Sequence, residues 1–123
     1  MKKTTISFSN GTDELNILLP SGLTDPDEWF EAPVRLHVGS LCYEYTGAFQ
    51  ARDFCDVFSR LDDVLFKGSG FEFGCTEGHL SFSVKKHDSL GHYRIDVHVE
   101  QPPTVIITSF VLDYSDMERV ANP

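Results

Sequence analysis

The sequence lacks the features that mark membrane proteins and secreted disulfide-rich proteins. No run approaches the roughly 18 consecutive apolar residues that a membrane-spanning helix needs. The first ten residues, MKKTTISFSN, carry two lysines without an apolar run behind them, so we expect no signal peptide. The three cysteines are an odd, widely spaced set without a CxxC pair, unlike the dense, even set of a small secreted scaffold. These absences predict a cytoplasmic protein with free thiols.

Basic residues are scarce. The 123 residues include 10 Lys and Arg against 19 Asp and Glu, which gives a net charge of −9 at pH 7. Such a charge repels polyanions and anionic membrane surfaces, and it attracts basic proteins. We therefore expect no nucleic acid and no membrane as partner, and we expect a cationic protein. The charge leaves the oligomeric state open.

Motifs of catalysis and of cofactor binding are also missing. The sequence contains no GxSxG, GxGxxG, GxxxxGKS/T or HExxH pattern, so we expect a protein that is not an enzyme and has no cofactor. One polar cluster keeps a metal-dependent alternative open. His37, Asp96 and His98 could share a metal or act as acid and base if their strands are neighbours with these side chains on one face.

Alternating apolar residues dominate the secondary-structure pattern. They predict strands at 5–9 and 14–19 around an Asn10-Gly11 turn, strands at 34–38 and 41–49, and a hairpin from the runs that begin at Leu80 and Tyr93. Residues 20–33 predict an irregular stretch. The nearly continuous apolar run 105–112 predicts a central strand that is buried on both faces.

One helix stands out between about Arg52 and Phe66, where apolar residues centred on Phe58 recur at helical spacing. A second helix of one or two turns is indicated by the capping-box spacing of Ser115 and Glu118. We predict a single globular domain, residues 1–123, of the α+β class. It comprises a mainly antiparallel β-sheet of about seven or eight strands, which could form a sandwich, with one long amphipathic helix packed on it.

The segment 25–31, DPDEWFE, is the candidate binding site. It places four acids around two aromatics, and no basic residue follows until Arg35. An exposed aromatic among carboxylates can anchor an interface while the charge accelerates the approach of a basic partner. In the alternative interpretation Trp29 and Phe30 fold back onto the sheet and only the acids are exposed. The predicted binding residues are Asp25, Asp27, Glu28, Trp29 and Glu31.

Several segments together carry a family resemblance. They are Gly47-Ala48-Phe49 leading into the helix, Leu80-Ser81-Phe82, the turn HDSLGHY at 87–93, and LDYSDM at 112–117. From about Leu36 onwards the sequence resembles the small bacterial proteins related to WapI-type immunity proteins of polymorphic toxin systems. The resemblance implies a cytoplasmic protein that binds and neutralises a toxin domain, and it supplies no catalytic residues.

The sequence therefore favours a non-catalytic cytoplasmic binding protein of immunity type, with a basic toxin or another cationic protein as partner. Two alternatives from other classes stay open at this point. One is a domain that binds a small ligand in an apolar pocket between sheet and helix. The other is a small metal-dependent enzyme that uses the cluster of His37, Asp96 and His98.

Overall fold

The computed structural model describes residues 5–122. These residues form two four-stranded antiparallel sheets, and within each sheet every strand pairs with its neighbour along the chain. The strands of the first sheet are β1 (Thr5–Ser9), β2 (Glu14–Leu18), β3 (Trp29–Val38) and β4 (Leu41–Gln50). Those of the second sheet are β5 (Phe71–Gly74), β6 (Leu80–Lys86), β7 (Tyr93–Gln101) and β8 (Thr104–Leu112). The predicted α+β class and the upper estimate of eight strands are confirmed.

The order of elements repeats. Each four-stranded meander is followed by a helix, α1 (Val57–Lys67) after the first sheet and α2 (Tyr114–Ala121) after the second. The two helices pack on each other, and α2 also packs against β1 of the first sheet. Among residues 5–122 no helix is long and apolar enough to cross a membrane.

The inner faces of both sheets and the buried faces of both helices share one core. Phe8 on β1 meets Phe82 on β6 edge to face, with ring centroids 5.1 Å apart, which joins the two sheets directly. The core follows the predicted alternation most clearly in β1, β6 and β7, where buried residues alternate with more exposed ones. Fully buried members with large side chains include Phe8, Phe49, Leu15, Leu36, Leu61, Leu80, Ile95 and Met117.

The prediction of one long helix from Arg52 is wrong. A 3-10 turn (Ala51–Phe54) comes first, and α1 begins only at Val57 and has 11 residues. The carboxylate of Asp53 holds this turn, because it accepts hydrogen bonds from the backbone N–H of Gln50 (3.0 Å) and from the hydroxyl of Thr76 (2.6 Å). Gly68 ends α1 in the left-handed conformation, at φ 69°.

The buried face of α1 also differs from the prediction. Leu61 is completely buried at the centre of the helix, together with Val57 and Val64. Phe58, the predicted centre, is only partly buried. The predicted apolar arc contains these three buried residues, but its centre is Leu61 and not Phe58.

The N-cap of the C-terminal helix lies two residues before the predicted cap, Ser115. Asp113 is the N-cap, and its side chain accepts a hydrogen bond from the N–H of Asp116 (2.8 Å), while the Asp116 side chain accepts from the N–H of Asp113 (3.2 Å). This capping box uses two aspartates instead of Ser115 and Glu118. The predicted second helix is therefore present, at eight residues, with a different cap.

Strand β8 is not the central strand that its composition predicted. It lies at the edge of the second sheet, after β7, and its outer face exposes Val105 (57%) and Ile107 (76%). Only the alternate residues Ile106, Phe110 and Leu112 enter the core. The predicted irregular stretch was also too long, because β3 begins at Trp29 and includes Pro33.

A buried histidine connects the two sheets. His79, in the turn before β6, donates from Nε2 to the carbonyl of Ala48 on β4 (2.8 Å), and its Nδ1 accepts from the hydroxyl of Tyr45 (2.8 Å). Burial, together with the thiol of Cys75 and the hydroxyl of Tyr43, raises the pKa of Tyr45 well above its ordinary value. The Tyr45 hydroxyl therefore keeps its proton and acts as the donor. Gly47 faces the histidine ring and leaves the space that the ring occupies.

Candidate partner-binding site

The acidic segment begins as a compact turn. The backbone carbonyl of Asp25 accepts from the N–H of Glu28 (3.0 Å), and the Asp25 side chain accepts from the N–H of Asp27 (2.9 Å). Aspartate favours this local arrangement because its short side chain can bond to the backbone two residues onward. The turn fixes where the following residues enter β3.

The turn is also fastened to the end of β4. Arg52 donates its backbone N–H to the carbonyl of Pro26 (2.9 Å), and Ala51 donates to the carbonyl of Glu28 (2.8 Å). The guanidinium of Arg52 forms an ion pair with Asp27. These contacts hold the segment against the first sheet at the point where the 3-10 turn begins.

The ion pair with Arg52 lowers the charge of the acidic segment. Arg52 is paired with Asp27, whereas Asp56 at the start of α1 has a carboxylate oxygen 3.8 Å from the guanidinium of Arg60. Three carboxylates of the segment are exposed and have no ion pair among residues 5–122: Asp25, Glu28 and Glu31. They give this end of the first sheet a net negative charge.

The two aromatics of the segment separate. The Phe30 ring lies 6.0 Å from Phe49 and 6.0 Å from Phe54, at the margin of the core. Trp29 is 49% exposed. Folding back onto the sheet therefore holds for Phe30, whereas Trp29 stands among the carboxylates, as the binding hypothesis requires.

The outer face of the first sheet continues from this segment as a groove. One part, of about 440 Å³, lies between residues 18–21 and the side chains of Glu31 and Pro33. A second part, of about 540 Å³, extends over β1 to β4 and shares Leu18 and Pro33 with the first. The groove thus combines apolar surface with acids, and Leu18 is 53% exposed within it.

Arg35 is the cation of this groove, and carboxylates flank it. Its guanidinium lies 3.8 Å from Glu14 on β2 and 3.7 Å from Glu44 on β4. The register explains the geometry, because Arg35 is opposite Glu44 on β4 and opposite Asn16 on β2, two residues from Glu14 on the same face. The positive charge is shared by two acids, so the face remains acidic.

The proposed metal cluster is not assembled. His37 lies on β3 in the first sheet, whereas Asp96 and His98 lie on β7 in the second sheet. Asp96 pairs with Arg94 (2.8 Å) and Lys85 (3.7 Å), as expected of a solvated sheet face. Within the described range 5–122, no group of three His, Cys, Asp or Glu side chains is arranged to hold a metal ion.

Sequence reasoning missed the apolar part of the site. The sequence assigned Leu18 to the predicted strand at 14–19 and Pro33 to the irregular stretch that follows it. Their place in a groove depends on how β2 and β3 separate. A proline in a strand is a signal that could have been used, because proline is tolerated where its missing N–H faces no neighbouring strand.

A comparison with models of known protein families assigns the chain to a family. The sequence pattern of the Immunity protein WapI-like family matches residues 8–122, and the chain belongs to that family. No curated protein matches the sequence.

A solved structure shares the fold. A chain from the crystal structures of Trypanosoma brucei MRP1/MRP2 superposes with a TM-score of 0.53 at 10% identity, covering 93% of this chain and 71% of that one. At this identity the likeness concerns the arrangement of strands and helices alone.

Proposed function

We propose that this chain is a non-catalytic immunity protein that binds a basic toxin domain in the cytoplasm and blocks it. Membership of the WapI-like immunity family supports the class of function. The observation that carries the site is the exposed Trp29 beside the unpaired carboxylates of Asp25, Glu28 and Glu31. No step in this function needs a metal, a cofactor or a reaction.

The two kinds of residue have different roles in the proposed complex. Unpaired carboxylates at one end of the sheet attract a cationic surface over several ångströms, and this attraction weakens as salt screens it. Trp29 loses its water only after contact and then slows dissociation. Asp27 contributes less to steering than its neighbours, because Arg52 already neutralises it.

The test uses a toxin domain encoded by a gene adjacent to that of this protein, if the genome carries one, with association and dissociation rates measured at low and high salt. We expect the triple change Asp25→Asn, Glu28→Gln, Glu31→Gln to lower the association rate about tenfold or more at low salt, with little change at high salt. Trp29→Ala should raise the dissociation rate by roughly thirtyfold, as a central aromatic anchor would.

Matched controls separate the site from general effects of charge and of apolar surface. Removing three other exposed acids, Glu72, Glu77 and Glu118, changes the net charge equally but leaves the segment intact. Phe66→Ala removes another exposed aromatic, from α1. If these controls change the rates as much as the site variants do, or if the wild-type rates are independent of salt, the proposed site is wrong.

A further inference from the structure

Half of strand β3 has a neighbour on one side only. The pairs between β2 and β3 end at Ile17 and Val34, while the pairs between β3 and β4 continue to Trp29 and Gln50. Residues 29–33 therefore have an unpaired strand edge on the side away from β4, although β3 is an inner strand of the first sheet. Beyond Ile17 the chain turns away, and Leu19 enters the core.

The backbone groups that face this open side can be identified. Ala51 donates its N–H to the carbonyl of Glu28 (2.8 Å), so Glu28 directs its backbone toward β4. Successive residues of an antiparallel strand direct their backbone groups to opposite sides. Trp29, Glu31 and Pro33 therefore face away from β4, and proline at 33 costs no hydrogen bond in the β3–β4 ladder.

Trp29 and Glu31 consequently each present one donor and one acceptor to the groove. Among residues 5–122 no hydrogen bond occupies these four groups. Residues 18–21 form the opposite wall of the groove. The groove between this wall and the side chains of Glu31 and Pro33 has a volume of about 440 Å³. A strand added to this edge would lie about 4.8 Å from β3 and would occupy this groove.

We propose that this open edge takes up an extended basic segment of the toxin as an added strand. The inference rests on the proposed function and specifies how the partner binds. Backbone pairing with Trp29 and Glu31 would supply the alignment, and the carboxylates of Asp25, Glu28 and Glu31 would select positive side chains. Pro33 offers no N–H, so the pairing ends there and the edge is poorly suited to pair with a second copy of itself.

The first test compares two variants that lose the same charge. Glu31→Gln keeps the backbone N–H, whereas Glu31→Pro removes it on the side that faces the groove and leaves the β3–β4 ladder complete. We expect both variants to fold, with similar melting temperatures. Glu31→Pro should weaken binding of the neighbouring-gene toxin domain roughly tenfold beyond Glu31→Gln.

Amide hydrogen exchange followed by NMR provides a second measurement that uses the unmodified chain. In the free protein we expect the amides of Phe30 and Ala32, which face β4, to exchange slowly, and those of Trp29 and Glu31 to exchange fast. The bound toxin domain should protect Trp29 and Glu31. The alternation would be reversed, with Trp29 and Glu31 slow and Phe30 and Ala32 fast, if the strand faced the other way.

The outcomes separate this inference from the proposed function. If the toxin domain binds but the Trp29 and Glu31 amides stay unprotected, or if Glu31→Pro binds like Glu31→Gln, the added strand is wrong and the function stands. If the toxin domain does not bind the wild-type chain, both fail together. Should Glu31→Pro not fold, the exchange pattern in the wild-type complex still decides.

Discussion

Gly47 offers a sharp test of how the two sheets are joined. A Cβ atom at this position would lie 2.7 Å from Nε2 of His79, closer than van der Waals contact allows. The change Gly47→Ala therefore displaces the buried imidazole. The ring would lose its bonds to the carbonyl of Ala48 and the hydroxyl of Tyr45, which connect the second sheet to the edge of the first.

The expected cost follows from two contributions. Forcing an extra methyl group into a packed site costs about 1–3 kcal/mol. Leaving buried hydrogen-bonding groups without partners costs about 1–3 kcal/mol more. We expect Gly47→Ala to lower the free energy of unfolding by roughly 2–5 kcal/mol, a large fraction of the stability of a domain of this size.

Urea denaturation measures this change, with Gly74→Ala as the matched control. Gly74 also lies in a strand, but its Cβ would meet nothing within 4 Å, so alanine there should leave the stability nearly unchanged. His79→Ala in the Gly47→Ala background should recover part of the packing loss, and the two changes should not be additive. Equal stability of Gly47→Ala and Gly74→Ala would refute the proposed role of the histidine.

Two further predictions concern the helices. Leu61→Ala should lower the free energy of unfolding by about 3–4 kcal/mol and Phe58→Ala by only about 1–2 kcal/mol, because Leu61 is fully buried and Phe58 is not. Urea denaturation measures both values, and the reverse order would contradict the position of α1. The hydrogen bond from the Asp116 N–H lowers the pKa of Asp113 below its ordinary 3.8, so its contribution to stability is present above that value and is lost as the pH falls through the folded-state pKa. As the pH is lowered from about 5 to 2, the melting temperature of Asp113→Asn should therefore fall less than that of the wild type. Parallel plots of melting temperature against pH for the two proteins would show that this cap does not titrate.

The sequence predicted the strands well because most of them have one buried face. In β7, for example, alternation from Tyr93 to Val99 states directly which residues enter the core. It failed for β8, where apolar residues occupy both faces although only one is covered. Composition reports what a strand could bury, whereas its place at the edge of a sheet depends on the pairing of the whole chain.

The candidate site was predictable in its charge but not in its shape. The acids around Trp29 are consecutive in the sequence, so they could be found without the fold. The ion pair between Asp27 and Arg52 could not, since it requires the end of β4 to return to the start of β3. The groove beside Pro33 likewise depends on where β2 leaves β3, and no local pattern records that separation.

Within each sheet, the pairing of every strand with its neighbour along the chain has a consequence for folding. Each meander can close by successive hairpins, so little chain entropy is lost before the first favourable contacts form, and we expect rapid folding for a protein so rich in β-structure. During synthesis the first meander leaves the ribosome before the second exists. Its inner face, including Phe8, then stays uncovered until β6 arrives with Phe82. The nascent first half is therefore the stage at which this chain is most exposed to aggregation.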